Sequence, residues 1–153
     1  MKLVAIVGSP RKHKATDTLV DKAIEGALAR HQDLECKKIH LIDRDIKYCQ
    51  NCLACRDSNT KEAVAPCTIH DDMDLIRKDL LETDLLVFGT PLHMGYPTAI
   101  MMTFLSRICW TFAKPERKIL TISGCPLPRS DKKRRAITII TNSIVPPVYP
   151  LFF

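Results

Sequence analysis

Three cysteines stand two residues apart in the sequence CQNCLAC, at Cys49, Cys52 and Cys55, and a fourth follows at Cys67. Thiolates spaced C-x2-C-x2-C place three sulfurs on one tight loop that can cap one face of an iron–sulfur cube, and a more distant fourth closes the site. Four thiolates also suit tetrahedral zinc, although paired C-x2-C sequences are the commoner zinc spacing. The third alternative is that the cysteines are apolar loop residues or redox-active thiols without a metal. The spacing favours iron–sulfur and leaves the other two open.

A second group of residues, in the segment GSPRKHKAT, could bind an anion. Ser9, Arg11 and Thr16 supply hydroxyl and guanidinium donors just before a predicted helix, whose N-terminus favours negative charge. The segment lacks both G-x-G-x-x-G and G-x-x-x-x-G-K-[ST], so neither a dinucleotide nor a nucleoside-triphosphate loop is supported. We expect these residues to hold one phosphate. The alternative is an ordinary turn at Ser9, with Thr16 or Asp17 capping the helix.

A third segment, GTPLHMGYPT, runs from Gly89 to Thr98. It combines glycine, proline and large side chains where a short polar connection would be enough to join a strand to a helix. This composition suits a flat aromatic ring that lies against backbone and an apolar wall.

The elements around these segments alternate between strand and helix. Apolar runs predict buried parallel strands at Leu3–Val7, Leu85–Phe88 and Ala136–Ile140, weaker alternation predicts an edge strand at Cys36–Leu41, and residues 119–122 are a short strand or part of an excursion. Helical spacing of apolar residues covers 19–28, 71–82 and 100–108, with Pro97 expected in the first turn of the last helix. Such alternation predicts a parallel α/β sheet whose ligands lie at the carboxyl ends of its strands. This places loops 8–15, 89–96 and 141–147 together.

Length and composition predict one domain over residues 1–153, with a cysteine-rich loop at 48–68. No apolar run is long enough to span a bilayer and no export signal is recognised, so we expect a cytoplasmic protein without membrane contact. The formal charge is +6, but the basic run RSDKKRR reads as a solvated loop and the nine aromatic residues are not interleaved with it, so we expect no nucleic-acid partner. The histidines show no metal-ligand spacing, and His40 is expected at the surface or in a loop.

Three separated motifs, in order, resemble the NADPH-dependent FMN reductase and iron–sulfur flavoprotein group of flavodoxin-like proteins. GSPRK with the following Thr is similar to the group's phosphate loop, CTIHDDMDLI to its segment after the cysteines, and TPLHMGYPTAIMMTFLSR to its flavin-ring loop and next helix. The likeness runs from Met1 to about Arg107. It implies an α/β fold with a flavodoxin-like doubly wound parallel sheet and an FMN cofactor.

The resemblance also implies the site residues. Ser9, Arg11 and Thr16 match phosphate-binding positions, and the isoalloxazine ring is lined by Pro91, Leu92, His93, Met94 and Gly95, with Thr141 and Asn142 bordering it. Cys49, Cys52, Cys55 and Cys67 match the ligands of a four-iron four-sulfur cluster, although the loop before Cys67 is longer here. No catalytic side chain is implied, because the chemistry resides in the flavin.

The implied function is an FMN-dependent oxidoreductase that takes electrons from NADPH or NADH and passes them to a redox partner, a small molecule or a ferredoxin-like protein. Two alternatives are a flavodoxin-like electron carrier without turnover and a metal-thiolate interaction module without flavin. A homodimer or tetramer is expected, because small flavin proteins often complete the ring pocket from a second subunit.

Several positions depart from the group's pattern. Ala15 stands where Asn is usual, His93 where Tyr is frequent, Met102 where Lys is common, and Ser106 where Asp commonly precedes Arg107. After Ile140 the sequence TNSIVPPVYPLFF is too rich in proline for a further helix and strand. Either the sheet lacks its last strand and helix or the polypeptide is truncated.

Overall fold

The structure is a computed structural model that describes residues 1–115 and 126–142. These residues form a mostly parallel sheet with helices on both faces. In chain order the elements are β1 (Lys2–Val7), α1 (Ala15–Arg30), β2 (Glu35–His40), a 3-10 turn (Leu41–Asp43), α2 (Met73–Glu82), β3 (Leu85–His93), β4 (Tyr96–Pro97), α3 (Ala99–Phe112), β5 (Ala113–Lys114), β6 (Leu127–Pro128) and β7 (Arg135–Thr141). The predicted fold class is confirmed. Residues 119–122, for which a strand is one expectation, lie outside the described residues.

The sheet has the strand order β2-β1-β3-β7, and these neighbouring strands are parallel. This is the 2-1-3-4 part of the flavodoxin-like order. The register pairs Val7 with His40 on one side and with Gly89 on the other, so the carboxyl ends of β1 and β2 meet at the same edge, beside the middle of β3. The prediction about a last strand and helix concerns residues 143–153, which the structure does not describe.

Strand β1 is central because both of its faces are buried. Val4 and Ile6 belong to the core beneath α2 and α3, which also contains Met73 and Phe104. Leu3, Ala5 and Val7 point to the opposite core, where Val20 of α1 packs. The continuous apolar run in the sequence therefore reflects two alternating faces, each covered by helices.

The segment Gly89–Tyr96 is not the open loop that its composition predicts. β3 continues to His93 and forms a short antiparallel hairpin with β4, with His93 opposite Tyr96. The turn needs two left-handed residues, Met94 at φ 53° and Gly95 at φ 86°. Pro97 lies in β4 and not in the first helical turn, because α3 begins after Thr98, whose Oγ1 accepts a hydrogen bond from the N–H of Met101 at 3.3 Å.

The basic run from Arg129 to Arg135 is more than a solvated loop. Lys132 Nζ donates to the carbonyl of Glu82 at 2.6 Å, and Arg134 donates to the carbonyl of Leu81 at 2.9 Å. These carbonyls belong to the last turn of α2, where cations are favourable. The sequence cannot reveal this role, since the partners lie about fifty residues away. None of the helices in the described ranges combines the length and apolar character needed to cross a bilayer.

Candidate functional site

The segments after β1 and within β3 meet the end of β7 at the carboxyl edge of the sheet, as the fold class predicts, while residues 143–147 of the third predicted loop lie outside the described residues. Thr16, on the first turn of α1, and Thr141, at the end of β7, are joined by a hydrogen bond of 2.6 Å between their Oγ1 atoms. Two of the predicted site residues, 125 positions apart in sequence, are therefore in direct contact. Asn142 follows Thr141 at the same edge and is exposed.

The segment from Gly8 to Lys14 forms a tight turn around the hydroxyl of Ser9. This Oγ donates to the carbonyl of Arg11 at 3.0 Å and accepts from the N–H of Arg11 at 3.2 Å. Ser9 is buried, whereas Arg11 is exposed. No side-chain partner of the Arg11 guanidinium is found within the described residues. The turn at Ser9 is thus formed, and it leaves the guanidinium of Arg11 available.

Asp17, in the first turn of α1, stabilises this loop through a hydrogen bond to its backbone. Its position in the helix does not predict this role. Its side chain is fully buried, and Oδ2 accepts a hydrogen bond of 2.6 Å from the N–H of His13. His13 has a left-handed backbone, φ 55°, which costs free energy for a residue other than glycine. Neither Thr16 nor Asp17 is the N-cap, because α1 begins after Lys14 and the Asp17 carboxylate binds upstream.

Two side chains on β2 contact this buried carboxylate. Oδ1 of Asp17 lies 2.5 Å from Lys38 Nζ and 2.8 Å from His40 Nε2. Burial alone would raise the pKa of Asp17, but hydrogen bonds from Lys38, the backbone of His13 and His40 outweigh it and lower that pKa well below its ordinary value. The expectation that His40 is a surface residue is wrong, since its side chain is only 17% exposed and faces Asp17.

Glycines bring the first loop against the hairpin segment. The N–H of Gly8 donates to the carbonyl of Gly89 at 2.8 Å, and Thr98 Oγ1 donates to the carbonyl of Gly8 at 2.6 Å. A Cβ at Gly8 would come within 2.8 Å of the Met101 Cβ, so this approach requires a glycine. The predicted phosphate and ring segments are therefore one hydrogen-bonded unit.

The predicted ring-lining residues follow one another along the hairpin and differ in exposure. Pro91 and Leu92 are half-buried in β3, while His93, Met94 and Gly95 are exposed at its tip. Met94 is 98% exposed. The edge thus offers a polar loop that starts at the buried Ser9 beside a hairpin with an exposed tip.

The four predicted metal ligands lie together. Cys49, Cys52, Cys55 and Cys67 all line one cavity of about 30 Å³. Cys52 Sγ lies 3.3 Å from Thr68 Oγ1, which ties the triplet to the segment after the insertion. The triplet turns tightly because the residues on either side of Cys52 have left-handed backbones, Asn51 at φ 52° and Leu53 at φ 61°.

The thiols are not equivalent. Hydrogen bonds from Thr68 and from the N–H of Ala54 lower the pKa of Cys52, which favours its thiolate. Burial raises the pKa of Cys55, which is half-buried. In residues 1–115 and 126–142 no three His, Cys, Asp or Glu side chains are arranged to hold a single metal ion.

An arginine, Arg107 of α3, crosses the base of this cavity. Its Nη1 lies 2.5 Å from Asp71 Oδ2, and its Nη2 donates to Cys67 Sγ at 3.8 Å. Burial opposes ionisation of Asp71, but hydrogen bonds from Arg107 and from the N–H groups of Lys47 and Met73 hold its pKa below the ordinary value. Asp71 therefore acts as a helix-start residue, as expected for an acid there, and also as the partner of Arg107. Arg107 Nε has no acceptor within the described part of the chain.

Sequence reasoning missed Asp17, Arg107 and Thr68 as site residues. Trp110 is half-buried and also lines the cysteine cavity. One feature of the sequence pointed indirectly to Arg107. Cys67 lies close before the acidic start of α2, and Asp71 at that start is the partner of Arg107.

The fold is that of a flavodoxin-like α/β protein, a class in which ligands bind at the carboxyl ends of the strands. The family model described as NADPH-dependent FMN reductase matches residues 1–129. The chain belongs to the NADPH-dependent FMN reductase family.

Two curated relatives extend the comparison. Over 108 residues the chain is 32% identical to an iron-sulfur flavoprotein of Archaeoglobus fulgidus, covering 71% of this chain and 46% of the relative. Over 105 residues it is 30% identical to an iron-sulfur flavoprotein of Methanosarcina thermophila, covering 68% of this chain and 51% of the relative. The chain spans about half the length of the curated relatives it matches.

A solved azoreductase from Bacillus anthracis resembles the chain with a TM-score of 0.66 and 13% identity, over 94% of this chain and 70% of that one. At this identity the likeness bears on the fold alone, and it confirms the flavodoxin-like architecture.

Proposed function

We propose that the protein binds FMN at the carboxyl edge of its sheet and acts as an oxidoreductase that takes electrons from NADPH or NADH. The observation that carries the proposal is the joining of three predicted flavin segments at one edge, through the Thr16–Thr141 and Gly8–Gly89 hydrogen bonds. Family membership and the names of the iron–sulfur flavoprotein relatives support it.

Each segment has a role in this proposal. Ser9, Arg11 and Thr16 hold the phosphate, for which Arg11 provides the only guanidinium of the loop. The hairpin residues 91–95 provide backbone and an apolar wall for the ring, and Thr141 and Asn142 border it. Bound FMN supplies hydride acceptance, so no side chain is assigned as a general acid or base.

We further propose that Cys49, Cys52, Cys55 and Cys67 hold a four-iron four-sulfur cluster, which would supply single-electron transfer. The donor set fits this group: four thiols share one cavity, Cys52 has a lowered pKa, and a buried cation with an orphaned N–H stands beside them. A single zinc ion would need the four sulfurs within about 4 Å of one another, since Zn–S bonds are about 2.3 Å long. A cube offers each thiolate its own iron.

The flavin assignment is tested through Arg11. We expect Arg11→Ala to weaken FMN binding by about 1.5–3 kcal/mol, the range for a hydrogen bond to a charged group, measured by fluorescence titration of the folded variant. Arg30→Ala is the matched control, because Arg30 is an exposed arginine at the opposite end of α1. Equal FMN affinity in wild type and Arg11→Ala would contradict the assignment.

The cluster assignment is tested on anaerobically reconstituted protein. We expect about four irons and four sulfides per chain, and quenching of the fluorescence of Trp110, the single tryptophan, because it lines the cysteine cavity. Cys52→Ala should lose the iron and keep FMN. Cys109→Ala, an exposed thiol on α3 outside the cavity, should keep both. Iron that survives Cys52→Ala would refute the ligand set.

Turnover is tested by reducing bound flavin under anaerobic conditions. Rapid reduction by NADPH or NADH supports the enzyme. Reduction by a ferredoxin-like donor alone would support the carrier instead.

A further inference from the structure

Arg107 connects the acidic start of α2 to one of the four cysteines. Only 2% of the residue is exposed, and its guanidinium bonds Asp71, the carbonyls of Lys47 and Ile69, and Cys67 Sγ. Arginine remains charged at any pH at which the protein is folded. A permanent cation is thus held in contact with one proposed cluster ligand.

The hydrogen-bond pattern leaves part of this cation uncommitted to protein acceptors. Asp71 takes bonds from Nη1 and Nη2, and Nη2 is shared with the carbonyl of Ile69 at 3.2 Å and with Cys67 Sγ. Nε is buried and has no acceptor among residues 1–115 and 126–142. A buried donor without an acceptor costs free energy, and acceptors on a bound anion would remove that cost.

We propose that Arg107 is a positioning residue that raises the reduction potential of the group bound by the four cysteines. The inference rests on the proposed cluster. One-electron reduction of a thiolate-bound cluster adds one negative charge while the ligands stay in place. A charge-assisted N–H···S hydrogen bond from a buried guanidinium stabilises the reduced form more than the oxidised form.

A purely structural role for Arg107 predicts different behaviour. In that case it would only tie α3 to the Lys47–Ile69 segment, and its removal would lower stability without changing the potential. Removing Arg107 alone would also leave Asp71 charged, buried and unpaired, which destabilises proteins strongly. The test therefore replaces both partners.

The experiment uses wild type and two double variants, each loaded with FMN and iron. The Met variant carries Arg107→Met and Asp71→Asn, and the Gln variant carries Arg107→Gln and Asp71→Asn. The Gln variant keeps an N–H donor without the charge, and the Met variant removes both. The readout is an anaerobic redox titration followed by visible absorbance. We expect the potential to fall in the order wild type, Gln variant, Met variant. Between wild type and the Met variant the reduced-to-oxidised ratio at fixed potential should fall at least tenfold, a shift of 59 mV for one electron.

Arg129→Met is the matched control. Arg129 lies between β6 and β7, and its Nη2 donates to the carbonyl of Cys55 at 2.8 Å, so it is a cation that bonds the backbone of the cysteine loop instead of a sulfur. Arg129→Met should leave the reduced-to-oxidised ratio at fixed potential within a few-fold of the wild-type value. An equal effect of Arg129→Met would overturn the assignment to Arg107.

The remaining outcomes are also decisive. Wild-type protein that binds no iron would refute the cluster and this inference together. Iron-loaded variants with the wild-type potential would overturn only the inference and assign Arg107 to packing. Retention of FMN reports whether a variant is folded. If the Met variant does not retain FMN, the Gln variant is compared with wild type instead, and an unchanged potential in the Gln variant would count against the proposal.

Discussion

The carboxylate of Asp17 is the buried charge that organises the loop between β1 and α1. It is fully buried, and its pKa is lowered because hydrogen bonds from Lys38, His13 and His40 outweigh the effect of burial. A carboxylate whose pKa is lower in the folded than in the unfolded state stabilises the fold above its unfolded pKa of about 3.9. That contribution is lost as the pH falls through the lower, folded value.

We expect Asp17→Asn to lower the free energy of unfolding at pH 7 by about 3 kcal/mol, since Lys38 and His40 lose a buried partner. Below pH 4 the wild type should lose stability faster than the variant, by up to about 1.4 kcal/mol per pH unit. Urea unfolding at pH 7, 5, 4 and 3 with fixed FMN measures both effects. Asp21→Asn, at the half-exposed second partner of Lys38, should change little. Parallel pH curves for wild type and Asp17→Asn would contradict the lowered pKa.

Helix α1 lies close to β3 because position 89 has no side chain. A Cβ at Gly89 would stand 2.4 Å from Val20 Cγ2 and 3.3 Å from Thr16 Cγ2. Val20 is fully buried and β-branched, so it cannot rotate away at low cost. The same contact sets the position of Thr16 against Thr141, and thus the shape of the proposed phosphate site.

Gly89→Ala should therefore lower the free energy of unfolding by about 1–3 kcal/mol, as overpacking of a core does. Adding Val20→Ala opens the space, so the double variant should be more stable than the sum of the single effects predicts, by at least about 0.5 kcal/mol. Gly26→Ala is the control: a Cβ at this position in α1 meets nothing within 4 Å, and it should stabilise by about 0.5–1 kcal/mol. If the effects of Gly89→Ala and Val20→Ala on the free energy of unfolding are additive, the contact between these two positions is not the cause, and the backbone adjusts at another place.

The local sequence pattern was sufficient to predict most of the strands and helices. It was not sufficient to predict the side-chain contacts between them. The run Leu3–Val7 predicted a central strand because burial on both faces leaves an uninterrupted apolar sequence. The hairpin at β3 and β4 was missed, since glycine and proline at its turn read as an open loop. Asp17 and Arg107 were missed for a different reason. The pairs Asp17–His40 and Arg107–Asp71 each join residues more than twenty positions apart, and periodicity carries no information on such pairs.

Three of the basic residues behind the net charge of +6 make hydrogen bonds within the described part of the chain. Arg129 bonds the carbonyls of Cys55 and Ala113, while Lys132 and Arg134 bond carbonyls at the end of α2. These cations connect the segment before β7 to the cysteine loop and to α2. A basic run can therefore be used inside one chain, and it gives no support to a nucleic-acid partner.

Strand β7 is an edge of the described sheet, and it exposes one large apolar side chain on each face, Ile137 at 58% and Ile140 at 54%. Parallel strands are normally covered on both faces, so we expect a second copy of the chain to cover this surface and the protein to sediment as a homodimer or tetramer at micromolar concentration. The double variant Ile137→Lys, Ile140→Lys should shift the protein toward monomer, whereas Leu75→Lys, on the exposed face of α2, should not. A wild-type monomer with FMN bound would contradict self-association, and an unchanged oligomer in the double variant would place the contact elsewhere.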